Sequence, residues 1–153
     1  RDHRPGQRQV DGPGQNRAMT SVLMSEELRR RILEEAQLAH PAECCGLLEG
    51  AREGGHFRIT ALYPARNLSS DPHRFEIDPR DRFAAQRRAR EQAAAVIGCY
   101  HSHPDGQAMP SIADRAGAGE DDFLWLIAGG EVLNAFVYSR GVFTGADWVT
   151  SSA

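Results

Sequence analysis

His101-Ser102-His103-Pro104, with Ser111 and Asp114 further along, is a set of residue types able to hold a hydrolytic metal ion and to stabilise an oxyanion. The small and β-branched run Ala94-Ala95-Val96-Ile97-Gly98-Cys99-Tyr100 leads into the histidines and predicts a strand. Successive side chains alternate faces along a strand, so His101 and His103 project to the same side and two imidazoles can share one ion. Pro104 ends the regular strand, and a loop from Asp105 to Pro110 delivers the chain to Ser111, a good helix N-cap. Asp114 stands three residues on, on the same side of the first helical turn, and offers a carboxylate as third ligand. Two histidines and one carboxylate leave the fourth tetrahedral position of zinc to solvent, which distinguishes a catalytic site from a closed structural one.

Such a site needs a general base that is not itself a ligand. Glu43 is the best candidate, because it stands in Pro41-Ala42-Glu43-Cys44-Cys45-Gly46-Leu47-Leu48, where a helical pattern stops at proline and an apolar strand begins. The Ser111 hydroxyl is then the group that hydrogen-bonds a carbonyl oxygen as it gains charge.

These residues resemble the JAMM, or MPN-plus, metalloproteases, whose pattern is an upstream glutamate, His-Ser/Thr-His-Pro, a spaced serine and a spaced aspartate. The spacing matches throughout: positions 104 to 110 separate His103 from Ser111, and positions 112 and 113 separate Ser111 from Asp114. The resemblance implies that His101, His103 and Asp114 bind one catalytic zinc ion, that Glu43 is the acid/base and that Ser111 stabilises the oxyanion. Glu-Cys-Cys-Gly-Leu-Leu and His-Ser-His-Pro-Asp are similar to the short bacterial members that act on ubiquitin-like sulfur carrier proteins. That likeness implies hydrolysis of a peptide or isopeptide bond at the C-terminal tail of such a carrier. It extends from about Leu23 to Trp148, with its specific part in the two motif blocks. Two other readings stand beside it: a non-catalytic module that binds a ubiquitin-like protein, and a DNA-repair-associated JAMM-like protein.

A chain of 153 residues fits one catalytic domain, 19–153, preceded by a disordered tail, 1–18, that is polar and contains Gly and Pro. The formal net charge of -3 gives no drive toward nucleic acid or an anionic membrane, although all 18 basic residues are arginine. No apolar run approaches the roughly 20 residues needed to span a bilayer, and the expectation is a cytoplasmic protein. Three cysteines cannot all pair, and adjacent Cys44 and Cys45 cannot chelate one ion from a strand, so reduced thiols are expected.

The elements that must position the site follow from periodicity. Ser25 caps a first amphipathic helix carrying Leu28, Ile32, Leu33, Ala36 and Ala39 until Pro41. Segments 44 to 51 and 56 to 65 read as a hairpin turned at Glu53-Gly54-Gly55, and Glu43 stands at its entrance. Asn67 to His73 is a polar loop, Phe75-Glu76-Ile77 a brief strand, and Asp78-Pro79 opens a second helix to about Ala93. Segments 123 to 128, 132 to 139 and 142 to 148 form a closing meander. The expected fold is α/β: a single mixed, curved sheet flanked by two longer helices, the layering of JAMM/MPN and cytidine-deaminase-like domains. Cys99 reads as a small buried neighbour under the site, and His40, His56 and His73 have no ligand spacing. Arg80, Arg82, Arg87, Arg88 and Arg90 read as a solvated helix face paired with Asp81 and Glu91.

Overall fold

Ser25 caps the first helix as its residue type predicts, its hydroxyl accepting the Leu28 N–H at 3.2 Å. Helix α1 (Glu26–Ala39) begins there, with Glu26 and Glu27 at the positive end of its dipole and Ile32 buried. Helix α2 (Pro79–Glu91) opens on Asp78, whose carboxylate accepts the Arg80 N–H at 2.9 Å, and buries Ala85 and Ala89. Helix α3 (Ile112–Gly117) is one short element begun by Ser111. The computed structural model describes residues 20–149, and the expected tail, 1–18, lies outside them.

The strands are β1 (Ser21–Leu23), β2 (Cys45–Glu53), β3 (His56–Ala65), β4 (Ala95–Ser102), β5 (Phe123–Gly129), β6 (Val132–Ser139) and β7 (Val142–Val149). The β2–β3 hairpin and the β5–β6–β7 meander form where the sequence places them. Pairing of β4 with β5 is parallel, and helix α3 lies in the connection between them.

The sheet is not open. It closes into a barrel in the order β1-β3-β2-β4-β5-β6-β7, because Val22 of β1 pairs in parallel with Phe57 of β3 and with Trp148 of β7. A strand of three residues is too short to show an alternation, so its existence rests on partners distant in sequence. Helix α3, short and begun at the expected N-cap Ser111, stands beside the two longer helices expected. Phe75 to Ile77 is not a strand either, since Ile77 makes only an isolated bridge to Asn67. The arginines of α2 reach beyond their own helix, Arg82 to Glu120 at 2.5 Å and Arg88 to Glu49 at 3.6 Å, while Asp81 pairs with Arg66.

Two apolar clusters occupy the two faces of the sheet. One gathers Val22, Ile32, Leu48, Phe57, Tyr100, Leu124 and Leu126 beneath α1, with Leu28, Leu33 and Trp148 packed against it. The other gathers Leu47, Ala85, Cys99, Phe123 and Trp125 on the α2 side. Strand alternation sorts them: Leu47, Cys99 and Trp125 point one way, Leu48, Tyr100 and Leu124 the other. His101 shares the face of Cys99 and so belongs to the α2 side. Among the described residues no helix is long and apolar enough to cross a membrane.

Candidate metal centre

The three expected ligands meet. His101, fully buried near the end of β4, and His103, one residue past it, bring their Nε2 atoms to 3.0 Å. Asp114 Oδ1 lies 3.0 Å from His101 Nε2, and Asp114 Oδ2 lies 3.1 Å from His103 Nε2. Atoms bonded to one tetrahedral ion at ~2.0–2.2 Å stand about 3.3 Å apart, so this donor set has the chemistry and nearly the spacing of a single-ion site.

Two of the three, His103 and Asp114, are held by backbone groups. The His103 N–H donates to Ala128 O of β5 at 2.8 Å, and the chain turns at Gly106, whose φ of 84° suits glycine. Gly129 lets that turn lie against β5, since a Cβ there would stand 2.6 Å from Gly106 O and from Ala108 N. The turn sets the carbonyl of Gln107 2.6 Å from His103 Nδ1. Donation from Nδ1 to that carbonyl leaves Nε2 with its lone pair toward the cluster. On α3 the Asp114 N–H donates to Ser111 Oγ at 3.0 Å, and the Ser111 N–H donates to Asp114 Oδ2 at 2.9 Å. This capping box fixes the carboxylate that faces the imidazoles. As an acceptor there, the Ser111 oxygen keeps its own proton available to a further acceptor.

Glu43 arrives from the loop between α1 and β2 and is 4% exposed. Its carboxylate and the two imidazoles offer ligand atoms within 4.8 Å of one another, yet Oε1 has no hydrogen-bond partner among the described residues. An orphaned buried carboxylate oxygen beside the converged donors is what an ion or a polar ligand would satisfy. Ser102, whose side chain faces away from the histidines, secures this loop. Its hydroxyl accepts the Cys44 N–H at 2.9 Å, and its own N–H donates to Cys44 O at 3.2 Å. Sequence reasoning assigned Ser102 no role, although strand alternation already turned it to the face opposite the histidines.

Electrostatics follow the burial. Desolvation raises the Glu43 carboxyl to about 7, against the opposing charge of His103 and with help from Asp114, Asp105 and Asp71. Burial lowers His101. Burial also works against protonation of His103, but Asp114 and the Gln107 carbonyl outweigh it and bring His103 to about 8. Burial opposes ionisation of Asp114, and the hydrogen bonds of the two histidines overcome it, holding the carboxyl below the usual range.

Sequence reasoning also missed Phe75, which stacks on His101 with ring centroids 4.2 Å apart at 23°. An aromatic residue in an otherwise polar loop was the available signal. Asp114 forms part of the wall of a cleft of about 580 Å³ floored by Phe75, Phe123, Trp125 and Cys99, and His103 borders a second cleft of about 300 Å³. Asp114 thus borders one cleft and His103 the other. His40 borders the smaller cleft.

Residues 25–139 match the family described as prokaryotic homologs of the JAB domain. The chain is 32% identical over 88 residues to a desampylase from Haloferax volcanii, across 57% of this chain and 62% of that protein, less than two thirds of its length. It is 27% identical over 101 residues to a CysO-cysteine peptidase from Mycobacterium tuberculosis, across 66% of this chain and 68% of that one. The solution structure of a protein from Desulfitobacterium hafniense superposes with a TM-score of 0.79 at 27% identity, covering 88% of this chain and 94% of the other.

Proposed function

The chain belongs to the family of prokaryotic JAB-domain homologues, and on that footing we propose that it is a zinc metallopeptidase acting on the C-terminal tail of a ubiquitin-like sulfur carrier protein. The bond hydrolysed is a peptide or isopeptide bond, and the protein works in the cytoplasm without nucleic acid or membrane. The observation that carries this reading is the approach of His101, His103 and Asp114 within 3.1 Å of one another beside the orphaned Glu43 oxygen. Names of relatives support the substrate class: one acts as a desampylase, another as a CysO-cysteine peptidase.

His101, His103 and Asp114 would hold the ion. Bound there, zinc would supply Lewis acidity, polarising a carbonyl and acidifying water. Glu43 takes the proton from the attacking water and returns it to the leaving amine, a task suited to a carboxyl raised to about 7. Ser111 donates its free hydroxyl proton to the carbonyl oxygen as charge develops. The Gln107 carbonyl keeps His103 in the tautomer that presents Nε2.

The test joins metal analysis to cleavage of a carrier extended beyond its Gly-Gly end. Glu43→Gln is expected to keep the metal and lose turnover by about 10²–10⁴-fold. His103→Ala and Asp114→Ala are expected to lose both. Cleavage by Glu43→Gln at the parental rate would remove Glu43 from the mechanism. Specific binding of the carrier by the zinc-loaded parent, with no cleavage, would favour a binding module.

A further inference from the structure

Asn67 opens the loop between β3 and α2, and every hydrogen-bonding position of its side-chain amide is used. Nδ2 donates to Glu43 O at 3.0 Å and to Arg74 O at 3.2 Å. Oδ1 accepts the N–H groups of Ser69 and Glu76, each at 2.9 Å. Reversing the amide would set its NH₂ against two N–H groups and its oxygen against two carbonyls, so the partners fix its orientation. The Leu68 N–H donates to Glu76 O at 2.8 Å and closes the loop further.

The loop closed in this way delivers Phe75 onto His101, and Phe75 also meets Trp125 edge-on at 5.7 Å. His101 needs this contact more than His103 does. A ligand imidazole is commonly oriented by a hydrogen bond from its second nitrogen, as His103 is by Gln107, whereas His101 Nδ1 has no partner among the described residues. Aromatic packing stands in its place: Phe75 stacks on the His101 ring and Trp125 meets it edge-on at 5.7 Å.

We propose that Asn67 is a positioning residue that sets two parts of the centre from one amide: the backbone of Glu43 directly, and the His101 ring through Phe75. The inference rests on the reading of Glu43 as the base and His101 as a ligand. Aspartate at this position keeps the two acceptor contacts, from Ser69 and Glu76, and loses both donors, the one to Glu43 and the one to Arg74 within the loop. Alanine loses all four contacts.

The experiment compares Asn67→Ala, Asn67→Asp and Glu43→Gln in a Trp148→Phe background, where Trp125 is the only tryptophan left of two. Turnover and KM are read on the zinc-loaded enzyme with a carrier extended beyond Gly-Gly. Acrylamide quenching of Trp125 is read on metal-free protein and reports the loop without any need for activity. Asn67→Ala is expected to lower kcat by about 100-fold, the scale of a ~1 Å misplacement, with little change in KM, and to open Trp125 to the quencher. Asn67→Asp, which keeps two of the three contacts within the loop, is expected to open Trp125 less than Asn67→Ala does and still to lose kcat by roughly tenfold or more. A residue that only shaped the loop would instead let kcat follow quenching, with Asn67→Asp recovering turnover to the extent that it protects Trp125. Parental kcat in either Asn67 variant, alongside an inactive Glu43→Gln, overturns this proposal alone. Parental kcat in Glu43→Gln overturns the base reading instead.

Discussion

Tyr100 and His101 are neighbours on β4, both fully buried, and they face opposite sides of the sheet. Tyr100 joins the cluster beneath α1, where Val22, Ile32, Leu48, Phe57, Leu124 and Leu126 meet one another across the barrel. His101 joins the α2 side, where Glu43, His103 and Asp114 are buried as well; among the described residues Glu43 Oε1 and His101 Nδ1 lack partners there, as Tyr100 Oη and Glu35 Oε2 do on the α1 side. A buried polar atom left unpaired costs about 1–3 kcal/mol, and the desolvated carboxylates add to that. Alternation along one strand therefore divides the work. The α1 face supplies stability mainly through apolar burial, and the α2 face carries four buried ionisable groups, Glu43, His101, His103 and Asp114, whose desolvation draws on it. Changes on the first face should move stability alone, and changes on the second should move turnover more than stability.

The largest expected effect is on the α1 face. Ile32 is the one fully buried side chain of α1, and Ile32→Ala should lower unfolding free energy by about 4 kcal/mol through lost transfer energy and a residual cavity. For a domain of this size that corresponds to a fall in Tm on the order of 10 °C. Chemical denaturation gives the stability, and kcat per folded molecule should stay within about twofold of the parent if the faces are independent. A tenfold loss of kcat at a temperature where the variant is fully folded would show that α1 packing reaches the centre.

Next in size is Ser111→Ala on the α2 face. Removing a donor to a developing oxyanion lowers kcat by about 10²–10³-fold, while removing an N-cap costs about 1 kcal/mol of stability. The two readouts separate because the hydroxyl oxygen serves Asp114 N–H and the hydroxyl proton serves the substrate. Loss of bound metal in this variant would assign Ser111 to holding Asp114 in place and not to the oxyanion.

This division was partly legible beforehand. His101, His103, Ser111 and Asp114 lie within one short segment, so strand alternation and N-cap geometry suffice to bring them together. Glu43 belongs to a distant segment, and its approach depends on Ser102 pairing with Cys44 across 58 residues. Local pattern offered it as a carboxylate where a helix stops at proline, and the resemblance gave it the same acid/base role. Closure of the sheet was hidden for a related reason: Ser21–Leu23 has no periodicity of its own, and only its non-local partners in β3 and β7 make it a strand. Phe75 to Ile77 has strand-forming residues, yet Asn67 ties the segment into a loop by side-chain bonds that propensity does not encode.

The smallest effect tests whether the α2 face stores the cost of burying Glu43. Unfolded glutamate titrates near ~4.3, whereas burial holds Glu43 at about 7 in the folded, metal-free protein. Between these values the folded state keeps a proton that the unfolded state has released, so stability falls as pH rises. The contribution of neutral Glu43 is fully present below ~4.3 and is lost as pH passes through about 7. Glutamine cannot ionise, so metal-free Glu43→Gln should gain on the metal-free parent between pH 4 and pH 8 by about 3 kcal/mol. Urea unfolding at both pH values measures the difference, and Ile32→Ala, on the opposite face, should show a deficit that stays constant with pH. An equally constant difference for Glu43→Gln would mean that water reaches the carboxylate and that its burial carries no energetic penalty.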